Sequence, residues 1–139
     1  MKMIQVLGLV LLSICVSTGT GCSVNGRWKN ELGSNMTIFQ VSNDGSFNGT
    51  YLTAVSDASQ NIIQSPLVGW QQYSTHPTFG FTVQWKFTNT TTVFTGQCFV
   101  TSTGEKVLHT TWLLRSIANT EADNWGATRV GVNTFTPIK

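Results

Sequence analysis

The sequence predicts an all-β protein, an eight-stranded antiparallel up-and-down β-barrel with an interior ligand pocket. Eight runs rich in Thr, Val, Ile and aromatic residues recur along the chain, turn-forming residues separate them, and no segment sustains a helical period. Eight antiparallel strands in one small domain leave two exposed edges unless the sheet closes on itself. A closed barrel of this size can hold one small ligand inside.

The predicted strands follow one another with mostly short connections. In chain order they are GRWKNEL, MTIFQVS, SFNGTYLTAV, SPLVGWQQY, FGFTVQWKF, TTVFTGQCFV, KVLHTTWLLRS and ATRVGVNTFTPI. The segments NDGS at 43–46 and STG at 102–104 are typical of compact hairpin turns. The stretch IANTEADNWG at 117–126 is the one connection with room for a short helical turn.

The N-terminus predicts a secretory signal peptide over residues 1–21, followed by one domain over 22–139. Lys2 supplies a positive start, MIQVLGLVLLSICV is an apolar stretch too short to span a membrane, and STGTG is a small-residue segment before Cys22. No later apolar run reaches the length of a spanning helix. We therefore expect a secreted, extracellular protein of one domain with no membrane partner.

The cysteines support the same expectation. Cys15 would leave with the signal peptide, so Cys22 and Cys98 remain as one even pair in an oxidising compartment. We expect them to form a disulfide, the alternative being two free buried thiols. An immunoglobulin-like sandwich is the alternative fold, but it usually carries both Cys in mid-strand, whereas Cys22 precedes the first strand.

Charge is sparse and nearly balanced, with eight Lys and Arg against six Asp and Glu and no basic run. The chain therefore lacks the clustered Lys and Arg that bind nucleic acid or an anionic membrane, and we expect neither partner. Three Asn-X-Thr sequons make Asn35, Asn48 and Asn89 glycosylation candidates in a secreted chain. We expect one or two of them to carry sugar.

Alternation with a period of two assigns an inner face to each strand. The members of this face are Phe79, Phe81, Val83, Trp85 and Phe87; Tyr51, Thr53 and Val55; Thr92, Phe94, Gly96 and Cys98; Thr110, Trp112 and Leu114; and Gly131, Asn133 and Phe135. Polar groups inside a barrel cost free energy unless they are hydrogen-bonded. Either these polar side chains hydrogen-bond to one another in a filled barrel, or they hydrogen-bond to a ligand. The presence of several such side chains among several Trp favours a small-molecule pocket.

The pattern favours a binding protein over an enzyme. The acidic residues lie mostly in turns or loops and none falls on the inner face, His76 precedes a proline in a connection, and His109 is out of step with Trp112. Acid–base and nucleophilic catalysis both need a titratable group in the pocket. Two Cys and two separated His also lack zinc-ligand spacing, so we expect neither a metal nor a cofactor.

Six longer stretches carry a family resemblance: GRWKNELGSNMTI, GTYLTAV, PTFGFTVQWKF, TTVFTGQCF, TWLLRS and NWGATRVGVNTF. Together, in this order and spacing, they resemble the avidin branch of the avidin–streptavidin family of secreted biotin-binding proteins. The resemblance covers essentially the whole chain after the signal peptide. The GRW at 26–28 is shared with lipocalins, so a lipocalin-like carrier of another small apolar ligand is the alternative function.

The resemblance implies a set of biotin-binding residues by position. Asn30, Ser34 and Tyr51 would donate hydrogen bonds to the ureido oxygen, Thr53 and Asn133 would accept from the ureido N–H groups, and Thr92 would meet the thioether. Trp85, Phe87, Phe94, Trp112 and Leu114 would surround the rings. Thr88 and Thr90 would meet the carboxylate, Ser56 would also contact biotin, and Trp125 would come from a neighbouring subunit. A homotetramer follows from that last role, with Val130 and Val132 at subunit interfaces.

The carboxylate end departs from the family pattern. The loop reads VSDAS, which puts Asp57 near the ligand's own carboxylate and Ala58 where the family has a Thr. Two negative charges close together repel each other, although solvent at the mouth screens the repulsion. We therefore expect biotin to bind somewhat more weakly, or to dissociate faster, than in a chain with the usual loop.

Overall fold

The computed structural model describes residues 21–57 and 61–139. Its eight strands are β1 Gly26–Asn30, β2 Asn35–Ile38, β3 Ser46–Leu52, β4 Ser65–Gln71, β5 Thr78–Gln84, β6 Thr91–Val100, β7 Lys106–Arg115 and β8 Thr128–Pro137. Each strand pairs antiparallel with the next, and β8 pairs with β1, so the sheet is a closed barrel. A short 3₁₀ helix, Glu121–Gly126, lies in the predicted 117–126 connection.

The predicted fold class is confirmed, and each predicted run overlaps one strand, although β2 and β5 each begin one residue before their run and end three or more residues before it does. Both compact turns have a glycine in the left-handed region, Gly45 at φ 84° and Gly104 at φ 83°, as such turns require. The third run ends at Leu52 rather than Val55. Beyond it the Thr53 hydroxyl donates to Val55 O at 2.8 Å and accepts from Val55 N at 3.3 Å, a local turn that competes with the strand ladder.

Of the two expected segments, the signal peptide falls outside the described residues apart from Gly21, and so do Cys15 and Ala58. The 1–21 and 22–139 boundaries therefore stay predictions. Within the described ranges, no helix is long and apolar enough to cross a membrane.

One end of the barrel is filled with apolar side chains. The Trp28 indole is 1 % exposed, and its Nε1 donates to Val24 O at 2.8 Å, which closes this end while satisfying the one polar atom of the ring. Phe47, Phe79 and Phe135 are buried in the same cluster. Because this end is packed, the space for a ligand is left at the opposite end, where the β3–β4, β5–β6 and β7–β8 connections lie.

The predicted disulfide is confirmed. Cys22 and Cys98 are bonded, with their Cα atoms 5.7 Å apart and a sequence separation of 76. Cys98 lies near the C-terminal end of β6 with its side chain buried, so the bond fixes the segment before β1 to that part of the barrel wall.

Candidate functional site

A cavity of about 400 Å³ opens at the unfilled end of the barrel. Its lining includes fourteen of the fifteen residues that the resemblance nominated, here given in chain order: Asn30, Ser34, Tyr51, Thr53, Ser56, Trp85, Phe87, Thr88, Thr90, Thr92, Phe94, Trp112, Leu114 and Asn133. The volume lies within the roughly 300–1,000 Å³ range of small-molecule sites. Residues up to 103 positions apart in sequence are thus brought to one chamber.

Three polar side chains lie together at the inner end of the cavity. Asn30 Oδ1 accepts from Leu32 N at 3.1 Å and from Ser34 N at 2.9 Å, which fixes the amide in the β1–β2 turn. Its Nδ2 faces Tyr51 Oη at 3.5 Å. The Ser34 oxygen accepts from Ala54 N at 3.0 Å, so its hydroxyl proton is directed to another acceptor.

The Tyr51 hydroxyl is kept neutral. Desolvation raises the pKa of Tyr51 well above its ordinary value, and the charge of Glu31 raises it further, while a hydrogen bond with Ser34 opposes the shift only in part. A neutral phenol retains a proton to donate. Tyr51, Ser34 and the Asn30 amide therefore present donors to an acceptor atom placed among them.

An aromatic wall stands beside this polar group. The Tyr51 ring contacts Trp85 edge to face at 5.4 Å between centroids and stacks on Phe94 at 5.6 Å, and Trp85 meets Phe87 at 5.8 Å. Trp85 Nε1 donates to the buried Thr92 Oγ1 at 2.8 Å, so the indole is fixed and the Thr92 proton points elsewhere.

Trp112 lies on β7, paired with Phe94 of β6, and its position depends on the absence of a side chain at Gly131 on β8. Gly131 of β8 is paired with Trp112, and a Cβ at Gly131 would lie 2.2 Å from Trp112 Cζ2. The indole therefore occupies the space above the Gly131 backbone, and any larger residue there would displace it.

Two acidic residues contact the site, although neither lies on the inner face of a strand, as expected from the sequence. Asp57 lines the cavity mouth and forms an ion pair with Arg129, with both side chains largely exposed. Glu31, in the β1–β2 turn, accepts a hydrogen bond from Asn133 Nδ2 at 2.8 Å. The loop sequence already led us to expect Asp57 at this end of the site, whereas strand alternation gave no signal for Glu31, because Glu31 lies in a turn.

The lining also includes Leu32, Val55, Ser116 and Arg129. Arg129 and Ser116 were detectable, because they continue the inner-face phase of Gly131 and Asn133 on β8 and of Trp112 and Leu114 on β7. Leu32 carries no such signal, since it lies in a turn.

Trp125 is the one nominated residue that does not line the cavity. It lies on the 3₁₀ helix with 89 % of its surface exposed. The connection is anchored to β7, because Arg115 Nη2 donates to Asn124 Oδ1 at 2.5 Å and Ser116 N donates to Ala127 O at 2.8 Å. Trp125 is thus held outward on a fixed loop.

The three sequon asparagines Asn35, Asn48 and Asn89 are all exposed. Asn89 lies between the cavity-lining Thr88 and Thr90, next to the mouth. No group of three or more His, Cys, Asp or Glu side chains with metal-binding geometry occurs within residues 21–57 and 61–139.

Known proteins resemble this chain both in sequence and in fold. A sequence profile of the Avidin family matches residues 18–138. Chicken (Gallus gallus) avidin is 54 % identical over 138 residues, covering 94 % of this chain and 91 % of avidin. The crystal structure of xenavidin superposes with a TM-score of 0.84 at 53 % identity, over 85 % of this chain and 99 % of the other.

A second solved structure, described as a biotin binding protein from chicken, superposes with a TM-score of 0.83 at 52 % identity, over 85 % of this chain and 98 % of that one. The profile match spans nearly the whole chain, and the identities are high over most of this chain and of each relative. The chain belongs to the avidin family.

Proposed function

We propose that the protein binds biotin tightly and without chemical change in the barrel cavity. The observation that carries the proposal is the juxtaposition of three polar side chains, Asn30, Ser34 and Tyr51, with an aromatic wall in one cavity of about 400 Å³. A cyclic urea offers one strong acceptor flanked by two N–H donors on an otherwise apolar bicycle. That chemistry matches the donors and the wall, and one solved relative is described as a biotin binding protein.

In this proposal the polar group polarises the ureido carbonyl. Donors fixed in advance and removed from water bind a developing or partial negative charge strongly, because no reorganisation is needed on binding. Thr53 and Asn133 accept from the ureido N–H groups, and the Thr92 hydroxyl, whose oxygen already accepts from Trp85, donates toward the thioether.

The rest of the ligand is assigned to the wall and the mouth. Its apolar bicycle packs against the aromatic side chains of Trp85, Phe87, Phe94 and Trp112, with Leu114 beside them. Its carboxylate meets the hydroxyl groups of Ser56, Thr88 and Thr90, all of which line the mouth.

We infer that Trp125 closes the site of a neighbouring subunit in a homotetramer. Its 89 % exposure on an anchored loop is unfavourable for an isolated barrel and suits an intermolecular contact. The outer face of β7 and β8 supports this, because Leu113, Val130 and Val132 are 48 %, 69 % and 70 % exposed. Sedimentation of the protein with and without biotin tests the assembly.

We further infer a secreted glycoprotein that sequesters biotin as a defence against microbes. The closed disulfide and the three exposed sequon asparagines suit an extracellular protein. Digestion with an endoglycosidase, followed by mass measurement, tests occupancy. Comparison of biotin association rates before and after digestion tests whether a sugar at Asn89 crowds the mouth.

Retention on biotin–agarose tests the central proposal. The secreted protein is expected to bind the resin and to be released by an excess of free biotin. Passage through the resin contradicts biotin binding and favours another small apolar ligand, as in a lipocalin-like carrier. Retention that free biotin does not reverse indicates nonspecific adsorption and also contradicts the proposal.

A further inference from the structure

Glu31 joins the β1–β2 turn to β8 directly beside the cavity. Its Oε1 accepts from Asn133 Nδ2 at 2.8 Å, and its Oε2 accepts from Thr134 N at 2.9 Å. The two partners are 102 and 103 residues away in sequence and are adjacent only because the barrel closes through the β1–β8 pairing. The carboxylate lies in a turn but is thus held by two adjacent residues of β8.

The identity of the atoms in this contact fixes the orientation of the Asn133 amide. An ionised carboxylate accepts hydrogen bonds and has none to donate, so the Asn133 atom that faces it must be the NH₂ group. The carbonyl Oδ1 then points away from Glu31. Asn133 is 6 % exposed and lines the cavity, and no hydrogen bond to its Oδ1 forms among the described residues.

We propose that Glu31 is a positioning residue: it holds the Asn133 amide so that Oδ1 is presented to the cavity, and the site thereby selects a ligand with an N–H donor at that point. The inference rests on the proposed function, because it assigns that donor to a ureido N–H of biotin. Without Glu31 the amide can rotate, and half of its orientations would present an NH₂ group to the ligand's N–H, which is repulsive.

The ionisation state of Glu31 agrees with this role. Partial burial acts to raise the pKa of Glu31, but hydrogen bonds from Asn133, from its own backbone N–H and from Thr134 N–H outweigh it and leave the pKa below its ordinary value. The carboxylate is therefore charged at neutral pH. A charged acceptor also polarises the amide that donates to it, which makes Oδ1 a stronger acceptor.

A double-mutant cycle tests whether Glu31 acts through Asn133. The variants are Glu31→Ala, Asn133→Ala and the pair of substitutions, and the readout is the biotin dissociation rate. Glu31→Ala is expected to accelerate dissociation roughly 5- to 50-fold in the native background, within the range of coupling between contacting residues. In the Asn133→Ala background it is expected to change the rate less than about twofold, because no amide remains to be oriented.

Two further variants separate positioning from loss of charge or stability. Glu31→Gln keeps an oxygen that can accept from Asn133 Nδ2, so it should recover part of the lost binding. Glu105→Ala removes an acid in the exposed β6–β7 turn and should leave dissociation unchanged. Thermal unfolding of each variant identifies any that fail to fold.

The inference is overturned if Glu31→Ala leaves dissociation unchanged in the native background, or if it accelerates dissociation equally with and without Asn133. If the native protein does not bind biotin at all, the proposed function fails while the positioning role remains testable. In that case the side-chain NH₂ resonances of Asn133 should still shift, and exchange faster with solvent, in Glu31→Ala. Resonances that stay unchanged would overturn the inference.

Discussion

Replacement of Trp125 by Ala tests the part of the proposal that a single barrel cannot explain. Trp125 is 89 % exposed and makes no contact with the cavity of its own chain. A substitution there should change the stability of the isolated barrel by no more than about 0.5 kcal/mol, as for other exposed positions. Its effect on ligand binding, if the residue closes a neighbour's site, should be far larger.

The size of that effect follows from the area of the indole. A Trp side chain buries roughly 150–250 Å² when covered, and about 25 cal/mol is gained per Å², which gives an upper limit of about 4–6 kcal/mol. One face of the ring rests on the ligand and the other on protein or solvent, so about half of this, 2–3 kcal/mol, applies to binding. That corresponds to roughly 30- to 150-fold faster dissociation, because each 1.4 kcal/mol is a factor of ten. Little is lost to ordering the loop, since Arg115 already holds it.

The assay is release of labelled biotin into excess unlabelled biotin, measured for the assembled protein and for protein diluted until it dissociates. Trp125→Ala should release biotin faster than the native protein only in the assembled state. The release rate of Trp125→Phe should lie between those of the native protein and of Trp125→Ala. Tyr73→Ala, at another exposed aromatic residue in a loop away from the cavity, is the control. An unchanged release rate in the assembly, or an equal change in dissociated barrels, refutes closure by a neighbouring subunit.

Three other predictions follow from contacts in the structure. Replacing Cys22 and Cys98 together by Ser opens a 76-residue loop and should lower the unfolding free energy by about 4 kcal/mol, seen in denaturant titration; a loss below about 1 kcal/mol would contradict the chain-entropy reasoning. Asp57→Ala should free Arg129 for the ligand carboxylate and slow biotin dissociation by up to about fivefold, while leaving neutral biotinamide unchanged; equal slowing of both would exclude a charge effect. The pKa of Glu31 is lower in the folded protein than its ordinary value of 4.5, so the stability that its carboxylate contributes is complete above pH 4.5 and is lost as the pH falls through the folded value. Glu31→Gln should therefore reduce the loss of unfolding free energy between neutral and acid pH. An unchanged loss would contradict the role of the carboxylate.

The Asp57 contact bears on the weaker biotin binding expected at the carboxylate end. Taken from the loop sequence alone, Asp57 adds an uncompensated charge beside the proposed position of the ligand carboxylate. In the structure Arg129 pairs with Asp57, so the net local charge is close to zero and we expect a smaller loss of affinity than the loop sequence alone predicts. Arg129 could be predicted to line the cavity, since it continues the inner-face phase of β8, but its pairing depends on the position of Asp57 at the mouth.

The sequence by itself determined the strands, the turns and the inner face. Alternation with a period of two is a local property, and it assigned Phe79, Phe81 and Val83 to the interior, where all three are buried. The same alternation ended too late on β3, because the hydrogen bonds of Thr53 to Val55 form a turn that only the backbone geometry reveals. Resemblance then nominated the cavity residues, fourteen of which do meet around one space.

Only the tertiary structure decided which distant groups touch. Strand alternation says which side of a sheet a residue faces, but not which turn residue reaches across the closing seam. The contacts of Glu31 with Asn133 and of Asp57 with Arg129 join loops to β8 across 102 and 72 residues. Their formation depends on the register of the β1–β8 closure and on the path of each loop, which no local pattern encodes.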